Sequence, residues 1–162
     1  MHVLLATDAQ WVADEVIAAL GSPSTSFTVV TNGRKVGGVV AERTPDIVIL
    51  DMQVGTMGGM AITMELRLEA SAGVLPEVPV LMLLDREMDI HMARRSGSNG
   101  WVIKPLDPLR LQRAVEEVAG GGCYSEGLPA TGDREPQTSD PAAADSASSD
   151  SRSEEHTSEL QS

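Results

Sequence analysis

Cysteine and aromatic residues are nearly absent from this 162-residue chain, which has one Cys, two Trp, one Tyr and one Phe. The single thiol, Cys123, excludes a disulfide framework and any cysteine-based metal site within one chain, and it fits a reducing cytoplasm. Basic side chains are scarce as well, 12 against 24 acidic ones, giving a net charge of −12. That balance offers no basic face of the kind that holds nucleic acid. No apolar run approaches the roughly 20 residues that span a bilayer, and Met1 to Asp8 is too short and lacks the basic flank of a secretory signal. These absences point to a soluble, cytoplasmic protein without a nucleic-acid or membrane partner.

What remains is unevenly distributed. Residues 1–120 hold all the long apolar runs, with 15 acidic and 10 basic side chains, and residues 121–162 hold the other 9 acids and only 2 bases. Apart from Tyr124, that second part has no aromatic or β-branched apolar residue. It cannot bury enough surface to offset the entropy of ordering it. The expected organisation is therefore one folded domain at 1–120 and a disordered acidic tail rich in Ser, Ala and Pro at 121–151. The last stretch, 152–162, looks like an in-frame translation of a sequencing-library adapter and is set aside from fold reasoning.

Within the first part, short apolar runs alternate with helical patterns five times, the signature of an α/β protein with a parallel sheet. Strands are expected at 2–7, 26–30, 46–51, 79–84 and 100–103, and helices at 10–20, 34–42, 59–71, 87–96 and 108–119. The first helix presents Trp11, Val12, Val16, Ile17 and Leu20 as its apolar face. The last begins with Asp107 as N-cap and Pro108 at the first helical position. Gly37 and Gly38 weaken the second helix by about 1 kcal/mol each relative to Ala. Five strands and five helices in this order suit a flavodoxin-like doubly wound five-stranded sheet, order 2-1-3-4-5, whose ligands bind beyond the carboxyl ends of the strands.

Chemistry is expected at those ends. The third strand, Pro45 to Asp51, is almost wholly apolar until it stops in a carboxylate. Mid-strand an acid would be expensive; at the rim it serves as metal ligand, nucleophile or general acid/base. Strand one ends in Thr7 and Asp8, strand four in Leu84 and Asp85, and strand five in Lys104 and Pro105. Taken singly, Lys104 reads as a solvated lysine, Asp85 as a surface loop acid, Trp101 as a strand aromatic, and Trp11 and His91 as packing or surface residues.

In this order and spacing, Val3–Asp8, Pro45–Asp51, Met57–Gly59, Pro79–Leu83 and Gly100–Pro105 resemble the receiver domain of bacterial response regulators, the CheY-like family. The resemblance spans residues 1 to about 119. It implies that Asp51 accepts a phosphoryl group from a histidine kinase or phosphotransfer protein. It implies Mg²⁺ held by Asp8, Asp51 and the main-chain carbonyl of Gln53, and Lys104 reaching Asp51 and then a phosphoryl oxygen. It implies a cis peptide bond before Pro105, and signalling to a downstream output protein through the fourth and fifth strands and helices. Chemistry of its own would be limited to Mg²⁺-dependent self-phosphorylation and dephosphorylation. With no output domain visible after the fifth helix, the chain reads as a stand-alone receiver or a truncated product.

Two positions depart from the family pattern. Thr7 stands where the first of two consecutive acids is usual. Leu84 stands where a hydroxyl usually completes the switch with the strand-five aromatic, here Trp101. Asp85 stands where a small residue is common and sets a negative charge near the site, while Gln53 and Arg86 occupy variable positions beside it. These departures keep open a second reading, a pseudo-receiver that binds partners without phosphorylation. A haloacid dehalogenase-type phosphotransferase would want a second Asp two residues after its nucleophile, where this chain has Gln53 or Gln10.

Overall fold

The computed structural model describes residues 1–127; most of the expected acidic tail and the adapter-like stretch 152–162 lie outside the described residues. The elements in order are β1 (His2–Ala6), α1 (Gln10–Leu20), β2 (Ser26–Val30), α2 (Val36–Glu42), β3 (Ile47–Asp51), α3 (Gly59–Ser71), β4 (Val80–Leu84), α4 (Ile90–Ser96), β5 (Gly100–Ile103), α5 (Pro108–Ala119) and β6 (Tyr124–Ser125). Single 3₁₀ turns at Gly33–Lys35 and Glu87–Asp89 lead into α2 and α4, so both α-helices start later than the sequence pattern predicts. All strands run parallel in the order β2-β1-β3-β4-β5-β6.

Strand alternation builds the two faces. Leu4, Ala6, Val48, Leu50, Val80, Met82, Leu84 and Trp101 point into a core with Val36 and Val40 of α2, Ile62 and Leu66 of α3, and Ile90 and Ala93 of α4. The intervening residues Val3, Leu5, Ile47, Ile49, Leu81, Leu83 and Val102 meet α1 and α5 on the other face. With both faces covered, the central strands must be apolar throughout, and every residue of β1, β3 and β4 is buried. Val36 and Val40, one helical turn apart and fully buried, hold α2 in place despite Gly37 and Gly38.

Helix ends follow local chemistry. Asp107 accepts a hydrogen bond from the Arg110 N–H at 2.9 Å and Pro108 opens α5, as the sequence predicts. Gly97 ends α4 at φ +88°, a left-handed conformation that a side chain would strain. The Gln112 side chain of α5 donates to the Ala19 carbonyl near the end of α1 at 2.7 Å, tying the two helices of one face together.

Two expectations are corrected. The buried stripe of α1 is Val12, Ala13, Val16, Ala19 and Leu20, while Trp11 is 54% exposed and Ile17 also faces outward. Turning the alanines inward lets the helix lie close to the sheet, which a Trp on that stripe would prevent. The sheet also has six strands, not five. Residues 121–127, predicted as the start of the tail, return to the sheet, and Tyr124 and Ser125 pair with Gly100 and Trp101. An uncovered β5 would leave its edge N–H and C=O groups unpaired, and Gly100 lets the backbone approach: a Cβ there would lie 2.5 Å from the Tyr124 carbonyl oxygen.

Leu83 is fully buried between α5 and the sheet. Leu83→Ala is expected to lower unfolding free energy by about 2–5 kcal/mol. Urea unfolding checks this as a fall in midpoint at unchanged slope.

Candidate functional site

Strand register assembles the site. Leu50 lies opposite Ala6, so the next residues, Asp51 and Thr7, stand side by side at the rim. Leu84 lies opposite Ile103, which puts Asp85 level with Lys104. The last residue of β3, Asp51, is only 2% exposed. A carboxylate so placed needs donors to replace water, and three converge on it. The Thr7 hydroxyl donates to Oδ2 at 2.8 Å, the Lys104 ammonium to Oδ1 at 2.8 Å, and the Gln53 main-chain N–H to Oδ1 at 3.3 Å. Thr7 is held in turn, its hydroxyl oxygen accepting the Ala9 N–H at 3.1 Å.

Lys104 is shared between two acids. Its Nζ also donates to Asp85 Oδ1 at 3.0 Å, and Asp85 Oδ2 is buried without a partner among the described residues. On its open side the ammonium lies 5.5 Å from the centre of the exposed Trp11 ring, within cation–π range. Burial pushes the Lys104 pKa down, but its hydrogen bonds to Asp51 and Asp85 and the charges of those carboxylates outweigh it, so the net shift is upward. The Lys104–Pro105 peptide bond is cis.

Asp8 reaches the same rim but turns to the next loop, its Oδ2 accepting the Gly55 N–H at 2.7 Å. Among the described residues no group of three or more His, Cys, Asp or Glu side chains converges as an all-protein metal cage would require. Mg²⁺ needs no such cage, since it is commonly held by one or two carboxylates with waters completing its shell. Asp8 and Asp51 are therefore a donor set that fits it, thinner by one acid because Thr7 replaces a carboxylate with a hydroxyl that bonds Asp51 itself.

Leu84 and Trp101 are not at the carboxylate cluster. Both point into the core beneath α4. Trp101 is 5% exposed, and its indole N–H donates to the Glu126 carbonyl at 2.9 Å. Besides the direct Thr7–Asp51 bond, three contacts were not predicted from sequence. Asp85 on Lys104 was visible as two rim positions on neighbouring strands. Trp11 over Lys104 lies off the buried stripe, and periodicity carries no signal for that. Glu126 sits in a stretch with no hydrophobic pattern at all.

Residues 3–116 match the family model described as response regulator receiver domain, and the chain belongs to that family. It is 27% identical over 117 residues to an uncharacterized 14.6 kDa protein of Leptolyngbya boryana, covering 72% of this chain and 88% of that protein. It is 26% identical over 108 residues to the nitrate/nitrite response regulator protein NarL of Escherichia coli K12 (65% of this chain, 49% of that one). It is 28% identical over 139 residues to the transcriptional regulatory protein CseB of Streptomyces coelicolor (80% and 56%). The chain thus spans about half the length of the last two. Among solved structures, the signal receiver domain of a histidine kinase from Syntrophus aciditrophicus superposes with a TM-score of 0.65 at 22% identity, covering 79% of this chain and 96% of that one. The BeF3-activated receiver domain of Klebsiella pneumoniae RstA gives 0.64 at 22% (74% and 98%). Receiver domains of two-component systems generally bind Mg²⁺ in their acidic pocket. Among the described residues no helix is long and apolar enough to cross a membrane.

A lysine whose pKa is raised on folding stabilises the protein fully below its unfolded value and loses that contribution as pH rises through the folded one. Lys104→Met is expected to destabilise by about 3 kcal/mol, since it leaves Asp51 buried without its cation. The difference from wild type should stay flat up to about pH 10 and shrink above it, which urea unfolding across alkaline pH checks.

Proposed function

We propose that this receiver domain accepts a phosphoryl group on Asp51 from a histidine kinase or phosphotransfer protein and signals to a downstream output protein by direct contact. The observation that carries the reading is the buried Asp51 carboxylate, gripped by Lys104 and Thr7 at the end of an apolar strand. Phosphoryl transfer passes through a loose transition state in which charge spreads over the phosphoryl oxygens, so catalysis is positioning plus neutralisation. An Asp51 oxygen forms its bond to phosphorus as the donor's bond to phosphorus breaks, leaving an acyl phosphate.

The chain's own groups divide that work. Lys104 is already at hydrogen-bond distance from Asp51 Oδ1 and, as a point charge on a flexible stem, follows charge onto a phosphoryl oxygen. To do so it gives up Asp85, which competes for the same ammonium. Thr7 holds Oδ2 and turns its hydroxyl away if that oxygen attacks. Asp8 and Asp51 would hold Mg²⁺, which when bound neutralises charge on the transferring group. With Leu84 in place of a hydroxyl, the phosphoryl group loses a charge-assisted hydrogen bond of about 1.5–3 kcal/mol. Coupling to Trp101 is correspondingly weak.

Titrating the full chain with beryllofluoride and Mg²⁺ tests the reading. Trp11 emission should change as Lys104 moves, with a saturating, Mg²⁺-dependent response absent from Asp51→Asn. Thr7→Asp should lower the half-saturating Mg²⁺ at least about tenfold, because a unit charge some 6 Å from a divalent ion contributes up to about 5.5 kcal/mol at an effective dielectric near 20, before solvent screening. No Asp51-dependent change in tryptophan emission or amide shifts would contradict the phosphoacceptor role.

A further inference from the structure

After α5 the chain turns back along the outer edge of β5, and its hold there is more specific than a two-residue strand requires. The Tyr124 N–H donates to the Asn99 carbonyl at 3.2 Å, and Tyr124 and Ser125 pair with Gly100 and Trp101. Where the strand ends, Glu126 takes over. Its main-chain carbonyl accepts the Trp101 indole N–H at 2.9 Å. Its Oε2 accepts the main-chain N–H of Ile103 at 2.7 Å, and its Oε1 accepts the Arg110 guanidinium at 2.9 Å. Arg110 is aimed by a second bond, to the Pro105 carbonyl at 3.0 Å. The Glu126 side chain is 10% exposed. Gly127 follows at φ +75°, where a Cβ would lie 2.8 Å from Ile90 Cδ1 of α4 and 3.3 Å from Ile103 Cδ1.

These anchors read features that many extended segments share. Main-chain groups pair with an open sheet edge, one carboxylate sits between a backbone N–H and an arginine, and a residue without a side chain passes over α4. This is how sheet edges take up extended peptides, with the ladder supplying affinity and the side-chain positions supplying selectivity. A carboxylate bound by a guanidinium and an oriented N–H gains two charge-assisted hydrogen bonds. We propose that the β5 edge, with Trp101, Ile103 and Arg110, is a strand-addition site for an extended segment carrying a Glu-Gly pair. The chain fills this site with its own residues Tyr124–Gly127, so a partner segment binds only by displacing them. The inference goes beyond the phosphoacceptor reading and does not depend on it.

The test uses the full chain with Glu126→Ala and Gly127→Val, which remove the carboxylate anchor and crowd the segment against Ile90 and Ile103. A fluorescein-labelled synthetic peptide of residues 121–128, with Cys123→Ser, is titrated by anisotropy into this variant and into wild type. The peptide should bind the variant at least about tenfold more tightly than wild type, and Glu126→Gln in the peptide should weaken binding about tenfold, the effect of one charge-assisted hydrogen bond. Absent or equal binding to the two folded proteins, or indifference to the peptide's glutamate, would overturn the proposal. A second measurement needs no displaced segment: in full-length Glu126→Gln, the Ile103 amide should exchange with deuterium about tenfold faster than in wild type. Unchanged exchange there would contradict the anchoring role of Glu126.

Discussion

Taking a carboxylate out of water costs several kcal/mol unless a cation and hydrogen bonds replace its solvation. Asp51 closes a strand whose other residues are apolar and buried on both faces, so it cannot move outward without pulling β3 from the centre of the sheet. The remedy comes from neighbouring strands. β1 supplies the Thr7 hydroxyl from the register position beside it, and β5, two strands away, supplies the Lys104 ammonium from the end of its run. Strand order, register and the length of the lysine stem are thus tied to one buried oxygen pair.

The rim carries three acids, Asp8, Asp51 and Asp85, and one lysine. Thr7 removes an acid from the metal side, and Asp85 supplies one on the lysine side. In the proposed reaction these changes act in the same direction. Fewer carboxylates face Mg²⁺, and the lysine that must follow the phosphoryl charge starts with a second carboxylate bound to it. The Lys104–Asp85 pair is partly open to solvent, so its hold on the ammonium is screened and weaker than that of buried Asp51.

The central strands and their ends were legible because a sheet covered on both faces demands continuous apolar runs, and an acid or lysine that breaks such a run marks the rim. From that followed Asp51, Asp8 and Lys104, along with the family. What escaped the sequence depended on rotation, reach or backbone pairing. The outward turn of Trp11 rests on which alanines of α1 pack closest, which a count of large apolar residues misjudges. The direct Thr7–Asp51 bond was missed because a missing acid draws notice to the metal and not to the hydroxyl in its place. β6 is made by backbone groups and one glutamate, with Gly100 as the enabling absence, so hydrophobic pattern had nothing to report.

The proposed phosphoryl transfer requires Asp51 to act as a nucleophile, and intact-mass spectrometry after incubation with acetyl phosphate and Mg²⁺ measures that competence most directly. Wild type should gain a single phosphoryl group that hydroxylamine removes, and Asp51→Asn should gain none. A wild type that stays unmodified, or an Asp51→Asn variant modified to the same extent, would contradict it.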